Sequence, residues 1–398
     1  MSRLTKPSTQ MPRGKADRES IARIIRLASI CHKPPRTGTL AMKLQELLGV
    51  ELPVIQAPMA GFQVSALAIA VSNAGGLGSL PCALLPPEAM RKELEAIRDA
   101  TSLPYNVNFF CHEPPQPDAE RESTWRAALE PFFAEYGIDA ASIPAGAGRI
   151  PFSAAAADIL EEFEPPVVSF HFGLPDAELV ARVKSWGAKV LGCATTVEEA
   201  LWLEAGGADA IIAQGVEAGG HRGIFLSEDI STQPSTFALI PQIVDAVKVP
   251  VIATGGIADA RGIAAAFALG AAGVQIGSAY LWCPESKISA PHRAALKSAR
   301  DDSTALTSLM TGRPARGIIN RVMREIEPVS DVAPEFPLAA GALAPLRAKA
   351  EAQGSGDFSP MWAGQAAALG RAMPAGQLTK TLAAEALERM GALATSKR

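Results

Sequence analysis

The sequence predicts an α/β fold, a (β/α)8 barrel carrying a smaller, mainly helical subdomain over its mouth. Three observations lead there. Short apolar, β-branched runs alternate with helical stretches from residue 53 onward. Eight such runs fit into about 230 residues, close to the usual span of this barrel. The last three runs each end in glycines, where such barrels commonly hold a phosphate. An open, doubly wound sheet is the alternative; the count of eight and the closing pair of glycine turns favour the barrel.

The elements follow in order. Residues 53–58 form a first strand that stops at Pro58. A helical stretch spans 65–73, and Gly75-Gly76-Leu77-Gly78 opens the second strand. Residues 87–100 place Met90, Leu94 and Ile97 on one helical face. Residues 105–110 are the third strand. Residues 111–165 are richer in Pro and Glu and read as a helical insertion. Strands four, five and six lie at 167–170, 189–193 and 210–213, with helices at 176–186 and 197–205 between them. A helix at 236–247 precedes strand seven at 251–254, and an Ala-rich helix at 258–269 precedes strand eight at 273–276. Beyond residue 281 the alternation ends. Residues 285–390 read as helical, broken by Pro314, Pro334, Pro337 and Pro345. The expected organisation is a disordered basic extension over 1–41, a barrel over 42–285 with the insertion 111–165, and a helical subdomain with C-terminal helices over 286–398.

Bulk properties narrow the function classes. The 398 residues carry a net charge of −4, so nucleic acid is not an expected partner. No apolar run approaches the ~18 residues of a membrane span. The five cysteines are scattered without a C-x-x-C pair, which argues against a zinc site or a disulfide framework and fits a reducing cytoplasm. No residue set has metal-ligand spacing. Residues 1–40 hold nine Lys/Arg against two Asp/Glu, without an apolar secretory core. They read as a disordered extension, with a basic targeting leader as the competing reading.

The densest motif is Gln214-Gly215-Val216-Glu217-Ala218-Gly219-Gly220-His221-Arg222-Gly223, directly after the sixth strand. Gly255 and Gly256 follow the seventh strand, and Gln275-Ile276-Gly277-Ser278 ends the eighth. Together these read as a phosphate cradle, against the plainer reading of tight turns packed with small residues. No G-x-x-x-x-G-K-[ST] is present, and Gly75-Gly76-Leu77-Gly78 precedes a strand, so neither a P-loop nor a dinucleotide fingerprint is indicated. Asn108, Gln214 and Gln275 stand at strand C-termini. A buried amide needs partners; an isoalloxazine-like heterocycle would supply them, as would backbone groups sealing the barrel. His171 closes the fourth strand, where barrels carry catalytic groups, and imidazole can take a moderately acidic C–H proton. A satisfied core histidine is the competing reading. His221 rivals it for the role but sits in a loop better suited to cradling a ligand.

These motifs resemble the nitronate monooxygenase family. The resemblance is carried by Gln56-Ala57-Pro58-Met59-Ala60-Gly61, Ala74-Gly75-Gly76-Leu77-Gly78, Ser169-Phe170-His171-Phe172-Gly173, the 214–223 loop, Thr254-Gly255-Gly256-Ile257 and Gln275-Ile276-Gly277-Ser278. It spans about residues 43–370. It implies noncovalent FMN, contacted by Met59, Asn108, Gln214, Gly219, Gly220, Gly255, Gly256, Gln275, Ile276, Gly277 and Ser278. Trp362-Ala363-Gly364-Gln365 would close on the flavin, with Gln365 among the binding residues. His171 falls at the catalytic histidine. Ser278 stands where many relatives have threonine and keeps the hydroxyl. The implied reaction takes a nitronate, or a nitroalkane, with O2 to a carbonyl compound and nitrite, in a monomer or homodimer. An NAD(P)H-dependent flavin reductase on the same barrel, and a non-enzymatic flavin-binding protein, are the alternatives.

Overall fold

A computed structural model describes residues 44–144 and 148–395. The extension expected over 1–41 lies outside the described residues. Eight parallel strands form one sheet: β1 (Val54–Gln56), β2 (Gly78–Pro81), β3 (Tyr105–Phe110), β4 (Val167–His171), β5 (Lys189–Ala194), β6 (Ala210–Gln214), β8 (Val251–Thr254) and β9 (Gly273–Ile276). The order is β1-β9-β8-β6-β5-β4-β3-β2. The sheet closes where the Gln56 N–H donates to the Leu77 carbonyl at 2.9 Å and the Leu77 N–H donates to the Val54 carbonyl at 3.0 Å. These strands are almost wholly buried, as a barrel covered by helices requires.

The barrel helices come largely from the expected segments: α2 (Ser65–Ser72), α3 (Pro87–Ala100), α5 (Ala154–Phe163), α6 (Ala177–Ser185), α7 (Val197–Ala205), α8 (Thr236–Ala246) and α9 (Ala260–Ala268). The short helix α1 (Leu44–Leu48) plugs the bottom of the barrel. Leu44 and Leu48 share a cluster with Ile55, Leu77, Leu191 and Ile252. A Cβ on Gly273 would stand 2.4 Å from Leu44 Cδ2 and 2.9 Å from the Pro53 carbonyl oxygen, so the plug packs tightly on this glycine.

Two arrangements differ from the sequence expectation. The last helix, α13 (Ala375–Thr395), completes the barrel. Its Leu378 and Leu382 pack with Leu67 and Val71 of α2 and Ile263 of α9, and Tyr280 Oη lies 2.8 Å from Thr379 Oγ1. The chain builds its mouth subdomain between β9 and its own eighth helix, a long-range return that no local pattern announces. The 285–390 stretch also contains strands. β10 (Thr304–Thr307) and β11 (Ala315–Ile318) pair antiparallel, and β11 pairs with the two-residue β7 (Gly220–His221) inside the glycine loop. Both strands are short and lack alternation, and β7 lies about a hundred residues away in sequence.

The insertion and the mouth segment share one core. Trp125, Leu129 and Phe133 of α4 (Ala119–Glu135) pack with Leu309, Val322, Leu343 and Leu346, the last two on α12 (Ala340–Ala352). The Trp125 indole N–H donates to the Ala339 carbonyl at 3.1 Å. Helix α5, within the expected insertion, is instead a barrel helix; its Ala157 and Leu160 pack against β3 and β4 residues.

Candidate active site

A cavity of about 570 Å³ opens at the C-terminal end of the barrel, within the ~300–1,000 Å³ common for small-molecule sites. Its floor comes from strand ends and its roof from the mouth subdomain. Met59, Asn108, His171, Gln214, Gly219 and Gly220 line it. So do Gly255, Gly256, Gln275, Gly277 and Ser278. Two expected residues stand apart. The Ile276 side chain is fully buried in the barrel's helix-packing core, facing away because successive strand residues alternate. Gln365 is exposed and does not line the cavity; its neighbours Trp362, Ala363 and Gly364 do.

The glycine loops form one wall of the cavity. Gly255 and Gly256 have φ of 113° and 67°, a region that favours glycine. A Cβ on Gly255 would meet Thr236 Oγ1 at 2.7 Å. The N–H groups of Gly256, Gly277 and Ser278 donate to no group within the described residues, leaving them free for a ligand. Glu217 fastens the wall from behind, accepting from the Thr236 N–H and hydroxyl at 2.8 and 2.7 Å. The buried Arg222 donates to the carbonyls of Gly215 and Gln214 at 2.7 and 2.8 Å and so folds the loop on itself.

The three strand-end amides differ. Gln214 is spent on protein groups: its Nε2 donates to the His221 carbonyl at 3.1 Å and its Oε1 accepts from the Gly223 N–H at 2.8 Å. Asn108 Nδ2 donates to the Ser169 carbonyl and hydroxyl at 3.2 and 3.0 Å. Gln275 Oε1 is buried without any partner. An orphaned buried carbonyl at a cavity wall is costly unless a ligand donor meets it.

His171 sits where β4 ends, packed against Phe172 at 4.5 Å and Phe110 at 5.9 Å between ring centres. Its Nε2 is 3.2 Å from the His221 carbonyl. A carbonyl only accepts, so this contact places the proton on Nε2 and leaves Nδ1 as the basic nitrogen. Burial pushes the imidazole down to about 3, with Arg313 and Arg222 adding to the effect, so it is neutral at ordinary pH. His221 is held lower than usual by the same cause, then by the charge of Arg149. Its Nε2 lies 2.9 Å from Thr311 Oγ1, and its carbonyl serves both His171 and Gln214. The pairing of β7 with β11 fixes that carbonyl, so the mouth subdomain orients the histidine on the barrel.

Several wall residues carry no sequence signal. Arg149 belongs to an aperiodic part of the insertion, and Thr311 to a loop between short elements. Phe336 joins the aromatic side of the site through Phe172 at 5.5 Å and His221 at 5.3 Å. The roof docks on the barrel loops through its backbone: Gly364 N–H donates to Ser278 Oγ at 2.8 Å and Gln365 N–H to the Glu217 carbonyl at 3.0 Å.

Comparison with known proteins matches this architecture. The family model described as nitronate monooxygenase covers residues 41–385. A nitronate monooxygenase of Pseudomonas aeruginosa is 45% identical over 86% of this chain and 98% of its own. One from Paraburkholderia phytofirmans is 44% identical over 88% and 96%. Among solved structures, a nitroalkane oxidase from Streptomyces ansochromogenes superposes with a TM-score of 0.80 at 40% identity, covering 88% of this chain and 99% of that one. FabK from Thermotoga maritima reaches 0.69 at 29% identity, with 89% and 99% covered. With a family model spanning most of its length and relatives this close, the chain belongs to the nitronate monooxygenase family.

Proposed function

We propose that this chain is an FMN-dependent nitronate monooxygenase that oxidises alkyl nitronates with O2 to a carbonyl compound and nitrite. One observation carries the reading: a neutral histidine and an unpartnered amide open on the same cavity as a wall of free backbone N–H groups. The residues present fit FMN. Gly255, Gly256, Gly277 and Ser278 would take the phosphate. Gln275 Oε1 would accept from a ring N–H, while Met59, Asn108, Gln214, Gly219 and Gly220 would border the flavin. The turn Trp362 to Gly364 would cover it, with Gln365 contributing its backbone to the turn. FMN, when bound, supplies the electron acceptor that nitronate oxidation requires.

This chain's own residues supply the rest. The positive field of Arg313 and Arg222 that helps keep His171 neutral also favours an anion in the cavity. A nitronate is such an anion; a neutral nitroalkane is not. Nδ1 of His171, left unprotonated by the Nε2 contact, would hold the proton that relates the two forms. Phe110 lines the cavity beside His171 and packs with Phe172 and Phe336 into an apolar cluster behind that wall. Nitronates therefore react more readily here than neutral nitroalkanes, for which a strongly lowered imidazole is a weak base.

Anaerobic spectroscopy of the FMN-loaded protein tests this. Propionate 3-nitronate should bleach the flavin absorbance, and NADH and NADPH should leave it unchanged. Bleaching by either nucleotide, with none by nitronates, would replace the reading with a flavin reductase.

A further inference from the structure

The cavity wall contains two arginines and a single carboxylate, so one arginine is left without a partner in the wall. Arg347 donates through Nε to Glu351 at 3.0 Å, so its charge is answered. Arg149 takes part in none of the ion pairs among the described residues. Its guanidinium lies 5.1 Å from the centre of the Phe336 ring. That ring also touches His221 and Phe172, and Phe172 in turn touches His171. This cation, unpaired among the described residues, thus stands one ring beyond the histidine pair, on the aromatic side, and is itself only partly exposed.

A half-buried guanidinium without a carboxylate is poorly compensated, and its contact with one phenylalanine face offsets only part of the desolvation. Its planar fork matches a carboxylate in two parallel hydrogen bonds. The other charged groups near it do not satisfy it. Arg313 faces Phe172 from 4.0 Å, and His112 donates through Nε2 to the Arg149 carbonyl at 3.0 Å rather than to its side chain.

We propose that Arg149 determines specificity by receiving a carboxylate on the substrate's tail, remote from the nitronate carbon. The proposal rests on the nitronate reading for its reaction, and on the geometry of the wall for its residue. Arg149 touches the tail, not the reacting atoms. It therefore selects ω-carboxy nitronates over simple alkyl ones of equal length.

The test compares propionate 3-nitronate with propyl-1-nitronate on FMN-loaded protein, together with binding of 3-nitropropionate followed by perturbation of the flavin spectrum. Arg149→Met should lower kcat/KM for the carboxylated nitronate about tenfold or more, through KM, and change the other by less than about twofold. It should weaken 3-nitropropionate binding by a similar factor, and Arg149→Lys should recover part of both losses. Equal effects on the two nitronates, or no effect, would overturn the proposal. So would a loss of FMN affinity in Arg149→Met, which would assign the arginine to the flavin phosphate. If neither nitronate is turned over by the unaltered protein, the reaction reading fails; 3-nitropropionate bound equally by parent and Arg149→Met would then overturn the arginine's role separately.

Discussion

Two adjacent glycines in one loop should answer differently to the same added methyl. A Cβ on Gly219 would stand 2.5 Å from the carbonyl carbon of Ala363 and 2.5 Å from the nitrogen of Gly364. Both atoms are backbone, so neither can rotate away. The reverse view agrees: a Cβ on Gly364 would meet the Glu217 carbonyl oxygen at 2.7 Å and the Gly219 nitrogen at 3.0 Å. Gly219→Ala must therefore push the 362–365 turn off the barrel and strain the 2.8 Å bond from Gly364 to Ser278. Overpacking of this kind costs about 1–3 kcal/mol, roughly a 5- to 150-fold loss in affinity if that turn closes over FMN. Gly220 is the control. An added Cβ there has no neighbour within 4 Å, but its φ of 74° carries the left-handed penalty of roughly 1 kcal/mol. Gly220→Ala should lower the melting temperature of apoprotein slightly and leave FMN affinity within about threefold. The assay is fluorescence titration of apoprotein with FMN beside thermal unfolding with and without the flavin. Gly219→Ala binding FMN as tightly as the parent would refute the glycine-to-glycine closure.

Further outcomes follow from the same geometry. His171→Asn should reduce turnover of a neutral nitroalkane clearly more than turnover of the matching nitronate; equal losses in steady-state kinetics would remove the proton-holding role. The acid limb of stability should be steep. The folded protein keeps His171 neutral down to about 3, whereas the unfolded chain binds a proton below ~6.5. The stabilisation is therefore complete above ~6.5 and falls as the pH drops from there toward 3. His171 is partly exposed to the cavity, so its share at pH 5 is at most about 2 kcal/mol, and His171→Asn should flatten the pH dependence of chemical unfolding by that amount. Gln275→Leu should weaken FMN binding about tenfold while leaving the apoprotein as stable or more so, because it removes a buried carbonyl that has no protein partner; titration and thermal unfolding read both effects.

The barrel was largely legible because each unit repeats a local pattern. Met90, Leu94 and Ile97 point to one side of their helix and are buried there. The glycine turns stood out for the same reason, since φ values such as those of Gly255 and Gly256 limit the residue choice. What stayed hidden was whatever depends on distant pairing. β11 acquires its role by meeting Gly220 and His221, and α13 by returning to α2, and neither contact leaves a periodic trace. The cavity wall divides along the same line. Residues at strand ends could be named, while Arg149, set against the Phe336 ring, enters the cavity wall only through the packing of the insertion and mouth segment above the barrel. Ile276 and Gln365 show the limit of motif reading, because adjacent residues of one motif face different environments. Gln214 shows another: its position at the cavity was expected, but its amide is already bound to His221 and Gly223.

On the proposed function, this cavity oxidises nitronates when it holds FMN. Oxygen consumption by the FMN-loaded protein with propionate 3-nitronate, with nitrite measured in the same vessel, tests it directly. The expected result is rapid O2 uptake accompanied by nitrite release, both lost when FMN is removed and restored when it is added back. Flavin-loaded protein that consumes no O2 and releases no nitrite with either propionate 3-nitronate or a simple alkyl nitronate would contradict it.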